Sequence, residues 1–277
     1  MEALVSTEWL AAHLHEADLL VFDATKFLPN EGRDGAAEFL LGHIPGARFF
    51  DIDAVADQET ALPHMVPTPG RFERLLGAMG VSNASRVVFY DQKGIASSAR
   101  GWWMMGLFGH DRAAVLDGGL PKWVREGRAV AQGAPAAAVP AAFKAGFRAT
   151  RLRGIGDMLA GDAGHVVLDA RPAGRFHGTQ PEPRPGLPNG HMPGSRSLPS
   201  SGLLGADGTM LPPERLRALF AEAGVDGRRP VVTSCGTGVT ATILSLGLLR
   251  AGLPQGAVYD GSWTEWAGRP DTIKETT

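Results

Sequence analysis

Four short elements recur in the same order in the two halves of this chain, and that duplication limits the possible folds more than any other feature. Asp23-Ala24 returns as Asp169-Ala170, and Gly42-His43-Ile44-Pro45-Gly46 returns as Gly190-His191-Met192-Pro193-Gly194. Tyr90-Asp91 returns as Ser234-Cys235, and Leu116-Asp117-Gly118 with Trp123 returns as Tyr259-Asp260-Gly261 with Trp266. The offsets stay between 143 and 148. Correspondences that keep both order and spacing mean that the two halves share one fold. Between them, residues 129–142 (AVAQGAPAAAVPAA) are nearly all Ala, Pro, Gly and Val without periodicity, and read as an extended linker. The expected organisation is a domain over residues 1–128, a linker over 129–149 and a second domain over 150–277.

Each half alternates short apolar runs with helical patterns. Leu19–Asp23, Val87–Tyr90 and Val115–Asp117 read as strands. A short amphipathic helix starts near Ser6 and Thr7, and further helices run over Arg71–Met79 and Ser97–Phe108, the last carrying Trp102 and Trp103 as packing residues. The pattern predicts an α/β protein with mainly parallel sheets. Such sheets collect reactive groups at the carboxyl ends of their strands. The stretch Val231–Thr242, VVTSCGTGVTAT, places the only cysteine there: four β-prone residues run into Cys235, and helical spacing begins at Val239. Gly236 and Gly238 let successive N–H groups turn inward, and the following helix adds the positive end of its dipole. A thiolate suits such a loop, which makes Cys235 a candidate nucleophile. The competing reading is an inert, buried cysteine. Asp91 holds the equivalent position in the first half and cannot act as a sulfur nucleophile, so one half is expected to be active and the other an inactive copy. His43 and His191 occur in both halves and are assigned to turn hydrogen bonding.

Composition excludes several classes. A net charge of -2 and a pI near 6.4 argue against a nucleic-acid binder. One cysteine rules out internal disulfides and a cysteine-rich zinc site and fits a reducing compartment; His13 and His15 are too isolated to suggest a metal. The N-terminal residues lack the basic start and unbroken apolar run of a secretory signal, and no stretch approaches the roughly 20 apolar residues needed to cross a bilayer. A cytoplasmic protein with no membrane contact is expected.

The GHIPGA and GHMPGS elements, the two Asp-Gly segments followed by Trp, and the loop Cys235-Gly236-Thr237-Gly238-Val239-Thr240 together resemble the rhodanese superfamily, in its mercaptopyruvate-specific branch, over nearly the whole chain. The resemblance implies two tandem rhodanese-like domains, the first non-catalytic and the second catalytic. It implies sulfur transfer from 3-mercaptopyruvate through a Cys235 persulfide to a thiol, cyanide or a thioredoxin-like protein, with no metal or organic cofactor. The loop residues Gly236, Gly238, Val239 and Thr240 would cradle the persulfide, and Arg175 and Arg184 would grip the carboxylate and ketone of the donor. A proton relay of Thr237, His64 and Asp53 is implied as well, with Thr237 standing where the family has serine. His64 and Asp53 lie in the first half, so that relay requires a site formed between the domains. From the residues alone, His64 could equally cap a loop, Asp53 could bind a backbone N–H, and each arginine could form a surface ion pair. Thiosulfate-specific members place basic residues after the cysteine, whereas Gly236 and Thr237 are neutral. A related phosphatase would need an arginine where Ala241 and Thr242 stand. The alternatives are a thiosulfate:cyanide sulfurtransferase and a non-catalytic interaction module.

Overall fold

The structure, a computed structural model, describes residues 1–160 and 164–276. In the first half five strands, β1 (Leu4–Val5), β2 (Leu19–Asp23), β3 (Arg48–Phe49), β4 (Arg86–Tyr90) and β5 (Ala113–Leu116), pair in the order β1-β5-β4-β2-β3. In the second half β6 (Leu152–Arg153), β7 (Val166–Asp169), β8 (Arg196–Ser197), β9 (Val231–Ser234) and β10 (Ala257–Tyr259) pair as β6-β10-β9-β7-β8, which is the same order. Every pairing is parallel. The duplication therefore holds strand by strand. The two-residue edge strands β1, β3, β6 and β8 are too short for a periodicity and carry no strand signal of their own in the sequence.

Helices cover the sheets: α1 (Thr7–His13), α2 (Gly35–Leu41), α3 (Ile52–Val55), α4 (Pro69–Ala78), α5 (Ser98–Leu107) and α6 (Gly119–Arg125) in the first half, then α7 (Ile155–Leu159), α8 (Ala173–Phe176), α9 (Pro213–Glu222), α10 (Ala241–Arg250) and α11 (Ser262–Gly268). Ser6 caps α1, its Oγ accepting the N–H of Trp9 at 3.1 Å. All ten residues of α5 are buried, as are the first eight of α10. A helix that is apolar on every face has to be covered on every face; these two follow the central strands β4 and β9 and pack against each other across the boundary between the halves. One hydrophobic core consequently contains Phe22, Phe89 and Trp103 from one half and Leu203, Leu244 and Val258 from the other. Each fully buried large side chain contributes about 1.5–3 kcal/mol, so this shared core fixes the halves against each other.

Residues 129–148 contain no helix or strand, yet they do not hang free. Ala131 bridges His43 in both directions, Ala141 N–H donates to Gly77 O at 2.8 Å, Arg148 N–H donates to Leu107 O at 2.8 Å, and Phe143 is buried. His43 and His191 make the same contacts in their own halves. His43 Nδ1 meets Phe39 O at 2.9 Å with its ring stacked on Phe39, and His191 Nδ1 meets Phe176 O at 3.0 Å with its ring stacked on Phe176. Among the described residues no helix is long and apolar enough to cross a membrane.

Candidate active site

Strand β9 ends at Ser234, and the six residues Cys235–Thr240 carry the chain into α10. The Cys235 N–H donates to Ser262 Oγ at 3.1 Å, while its carbonyl accepts Trp263 N–H at 3.0 Å. Beyond it, the N–H groups of Gly236, Thr237, Gly238, Val239 and Thr240 meet no acceptor among the described residues. Five successive unsatisfied donors beside a thiol, at a helix start, form an anion-binding loop. Gly238 has φ +75, and a Cβ there would fall 2.7 Å from Asp260 O, so only glycine fits.

The first half shows what this turn does when its strand ends in a carboxylate. Asp91 follows β4 as Cys235 follows β9, and its carbonyl accepts Leu120 N–H at 3.0 Å just as that of Cys235 accepts Trp263. Its Oδ2 receives the N–H groups of Ala96, Ser97 and Ser98 at 2.7, 3.0 and 2.9 Å, and Oδ1 that of Lys93 at 2.9 Å. The first half thus carries an internal carboxyl group at the equivalent strand end.

Cys235 opens onto a cavity of about 220 Å³ lined by both halves. Lys26, Phe27, His64 and Lys93 come from the first; Arg175, Arg184, Gly236, Thr237, Val239 and Thr240 come from the second. The thiol residue is only 2% exposed. Wider concavities of about 860 and 850 Å³ lie elsewhere and contain no thiol. Gly238 does not line the cavity, and its carbonyl accepts Arg100 Nη1 at 3.3 Å.

His64 and Asp53 are in contact, with Nδ1 at 2.5 Å from Asp53 Oδ1. The hydrogen bond from His64, supported by an ion pair with Lys26, holds the Asp53 carboxyl well below the usual range. On the other side of the ring, His64 Nε2 meets Arg184 Nη2 at 2.9 Å. A guanidinium can only donate, so Nε2 accepts and the ring proton sits on Nδ1. The structure therefore orders Asp53, His64 and Arg184 in a row and records no hydrogen bond between Thr237 and His64, although both line the cavity. Arg184 forms no ion pair among the described residues, and burial pulls its pKa down. Arg175 is committed: its Nε and Nη2 donate to the Glu182 carboxylate at 3.2 and 2.5 Å. Glu182 also takes Arg171, itself paired with buried Asp169. Among the described residues no group of His, Cys, Asp and Glu could hold a metal ion.

Three contributors escape a sequence reading. Glu182 orients Arg175; Ser262, at φ +50 where the first half has Gly119, holds the Cys235 backbone. Arg100 of α5 ties Gly238 to Asp260 and to the carbonyl of His64. Only Arg100 left a signal, as a lone charge in an otherwise uncharged, apolar helix.

Two duplicated parallel α/β units with one thiol in a strand–loop–helix turn, open to a cation-lined cavity between them, define a class: double-domain proteins whose second copy alone is equipped for thiolate chemistry. The Rhodanese-like domain family matches residues 6–126 and 156–269, and the chain belongs to that family. It is 40% identical to thiosulfate/3-mercaptopyruvate sulfurtransferase 1, mitochondrial, of Arabidopsis thaliana, over 98% of this chain and 77% of that one. It is 42% identical to the 3-mercaptopyruvate sulfurtransferase of Rattus norvegicus, over 95% of this chain and 91% of that one. The crystal structure of SseA from Escherichia coli, described as a 3-mercaptopyruvate sulfotransferase, superposes with a TM-score of 0.86 at 34% identity, covering 95% of this chain and 99% of its own.

Proposed function

We propose that this protein is a 3-mercaptopyruvate sulfurtransferase. The observation that carries the reading is Arg184: a half-buried guanidinium with no carboxylate partner among the described residues, in the same cavity as the only thiol. A substrate carboxylate supplies the missing counter-charge, at about 1.5–3 kcal/mol for a charge-assisted hydrogen bond. Arg175, with two of its nitrogens on Glu182, keeps its other N–H groups for the ketone oxygen.

In this reading the Cys235 thiolate attacks the donor sulfur. The new S–S bond forms as the carbon–sulfur bond breaks, and the electron pair leaves on carbon as pyruvate enolate. As the donor carboxylate draws Arg184 away, His64 Nε2 is released, takes the donor's S–H proton and returns it to the enolate, with Thr237 on the wall beside the transfer. Gly236, Val239 and Thr240 hold the persulfide with their N–H groups, and Gly238 lets the loop close. Asp53 fixes the ring. The outer sulfur then passes to cyanide, a small thiol or a thioredoxin-like protein. The neutral residues Gly236 and Thr237 favour a keto-acid donor over thiosulfate. The division into a non-catalytic domain (1–128), a linker (129–149) and a catalytic domain (150–277) belongs to the same proposal, with the cytoplasm as the compartment.

Steady-state kinetics with both donors tests this: kcat/KM higher for 3-mercaptopyruvate than for thiosulfate is expected, and the reverse order would overturn it. Intact-mass measurement after donor treatment should show one added sulfur, absent in Cys235→Ser. An unchanged wild-type mass would instead mark a binding module.

A further inference from the structure

Arg100 is wholly buried in α5, and its Nε finds no hydrogen-bond partner. A buried ion pair with one nitrogen left unsatisfied is weak evidence for a stabilising role, since a well-packed apolar side chain often does as well. Its other nitrogens all cross to the site. Nη2 donates to the His64 carbonyl at 2.6 Å and to Asp260 Oδ1 at 2.7 Å, and Nη1 to the Gly238 carbonyl at 3.3 Å. The second oxygen of Asp260 accepts the N–H of Val66, two residues beyond His64, at 2.7 Å. His64 itself has φ +62, a left-handed conformation that costs a non-glycine residue of order 1–3 kcal/mol and persists only when its surroundings impose it.

We propose that the Arg100–Asp260 pair, which joins the two halves, is the positioning device that imposes this conformation, holding the His64 carbonyl and the Val66 N–H so that the His64 ring meets Asp53 and Arg184. The inference rests on the catalytic role given to His64 above. Arg100 does not line the cavity and acts through that ring. A lysine at position 100 retains the charge but has one nitrogen where the guanidinium uses two to reach these three acceptors.

The test is a double-mutant cycle with 3-mercaptopyruvate as donor, comparing Arg100→Lys, His64→Gln and the double variant, with His64 tautomers read separately by nitrogen-15 NMR. Arg100→Lys is expected to remain folded and to lose about 10- to 100-fold in kcat/KM, the scale of a roughly 1 Å misplacement. In the His64→Gln background it should cost no more than about threefold further. The wild-type ring should show a proton on Nδ1 only, and the Arg100→Lys ring a mixture. Asp260→Asn should reproduce both effects. Independent, multiplicative losses with an unchanged tautomer would overturn the proposal. So would unfolding of both Arg100→Lys and Asp260→Asn, which would assign the pair to the fold. A wild type that releases no pyruvate would instead defeat the sulfurtransferase reading, and the tautomer comparison would still decide the clamp.

Discussion

At the scale of single residues, the charge inventory around Cys235 sets the expected behaviour. Replacing Arg184 by Met removes the one cavity guanidinium that, among the described residues, has no carboxylate partner. KM for 3-mercaptopyruvate should rise 10- to 100-fold, as expected for loss of a charge-assisted hydrogen bond, while alkylation of Cys235 by iodoacetamide slows little. An unchanged KM would remove Arg184 from donor binding. Asp23, at the end of β2, presents a different case. Burial pushes its carboxyl up to about 6 from an ordinary 3.8, despite hydrogen bonds from Thr25 and Gln92. The folded protein then holds this proton more tightly than the unfolded chain, so the contribution to stability is full below pH 4 and is lost as pH rises to 6. The loss is about 3 kcal/mol at roughly 1.36 kcal/mol per pH unit. Asp23→Asn should cancel it: the stability difference between variant and wild type in urea should shift toward the variant by about that amount between pH 4 and pH 7.5, whereas a pH-independent difference would contradict the account.

At the scale of elements, the strand–loop–helix turn is the repeated unit, and its two copies differ in what fills them. In the first copy the Asp91 carboxylate takes up four N–H groups. Asp91→Asn should lower stability by about 2 kcal/mol, through loss of hydrogen bonds to a charged group, with kcat/KM untouched at 25 °C; thermal unfolding and kinetics on one sample would check it, and a loss of activity without a loss of stability would speak against it. These turns were legible in the sequence because strand, glycine and helix signals are local, and Val231–Ser234 was located to the residue. Contacts across the loops were not. The resemblance puts Thr237 in a relay with His64, yet the acceptor nitrogen of that ring faces Arg184, a partner 120 residues away that no spacing encodes. Gly238 likewise carries no sign that its neighbours are Asp260 and Arg100 rather than a bound sulfur.

At the scale of the whole molecule, the repeat predicted two similar units, and the identical strand orders are its outcome. How the units meet depended on a subtler cue, the all-round apolar character of α5 and α10, which marks burial without naming the partner. Because one core spans both halves, calorimetry should give a single unfolding endotherm, and two resolved transitions would show the halves to be independent. Residues 150–277 expressed alone should retain the thiol but lose His64 and Arg100, with kcat/KM down by at least 100-fold, the order reached when a positioned proton-transfer group is removed. The near-complete enclosure of Cys235 has one more consequence. A sulfur atom parked on that side chain would lie beneath the outer surface, so a folded recipient would have to present it with a protruding, slender group rather than a flat face.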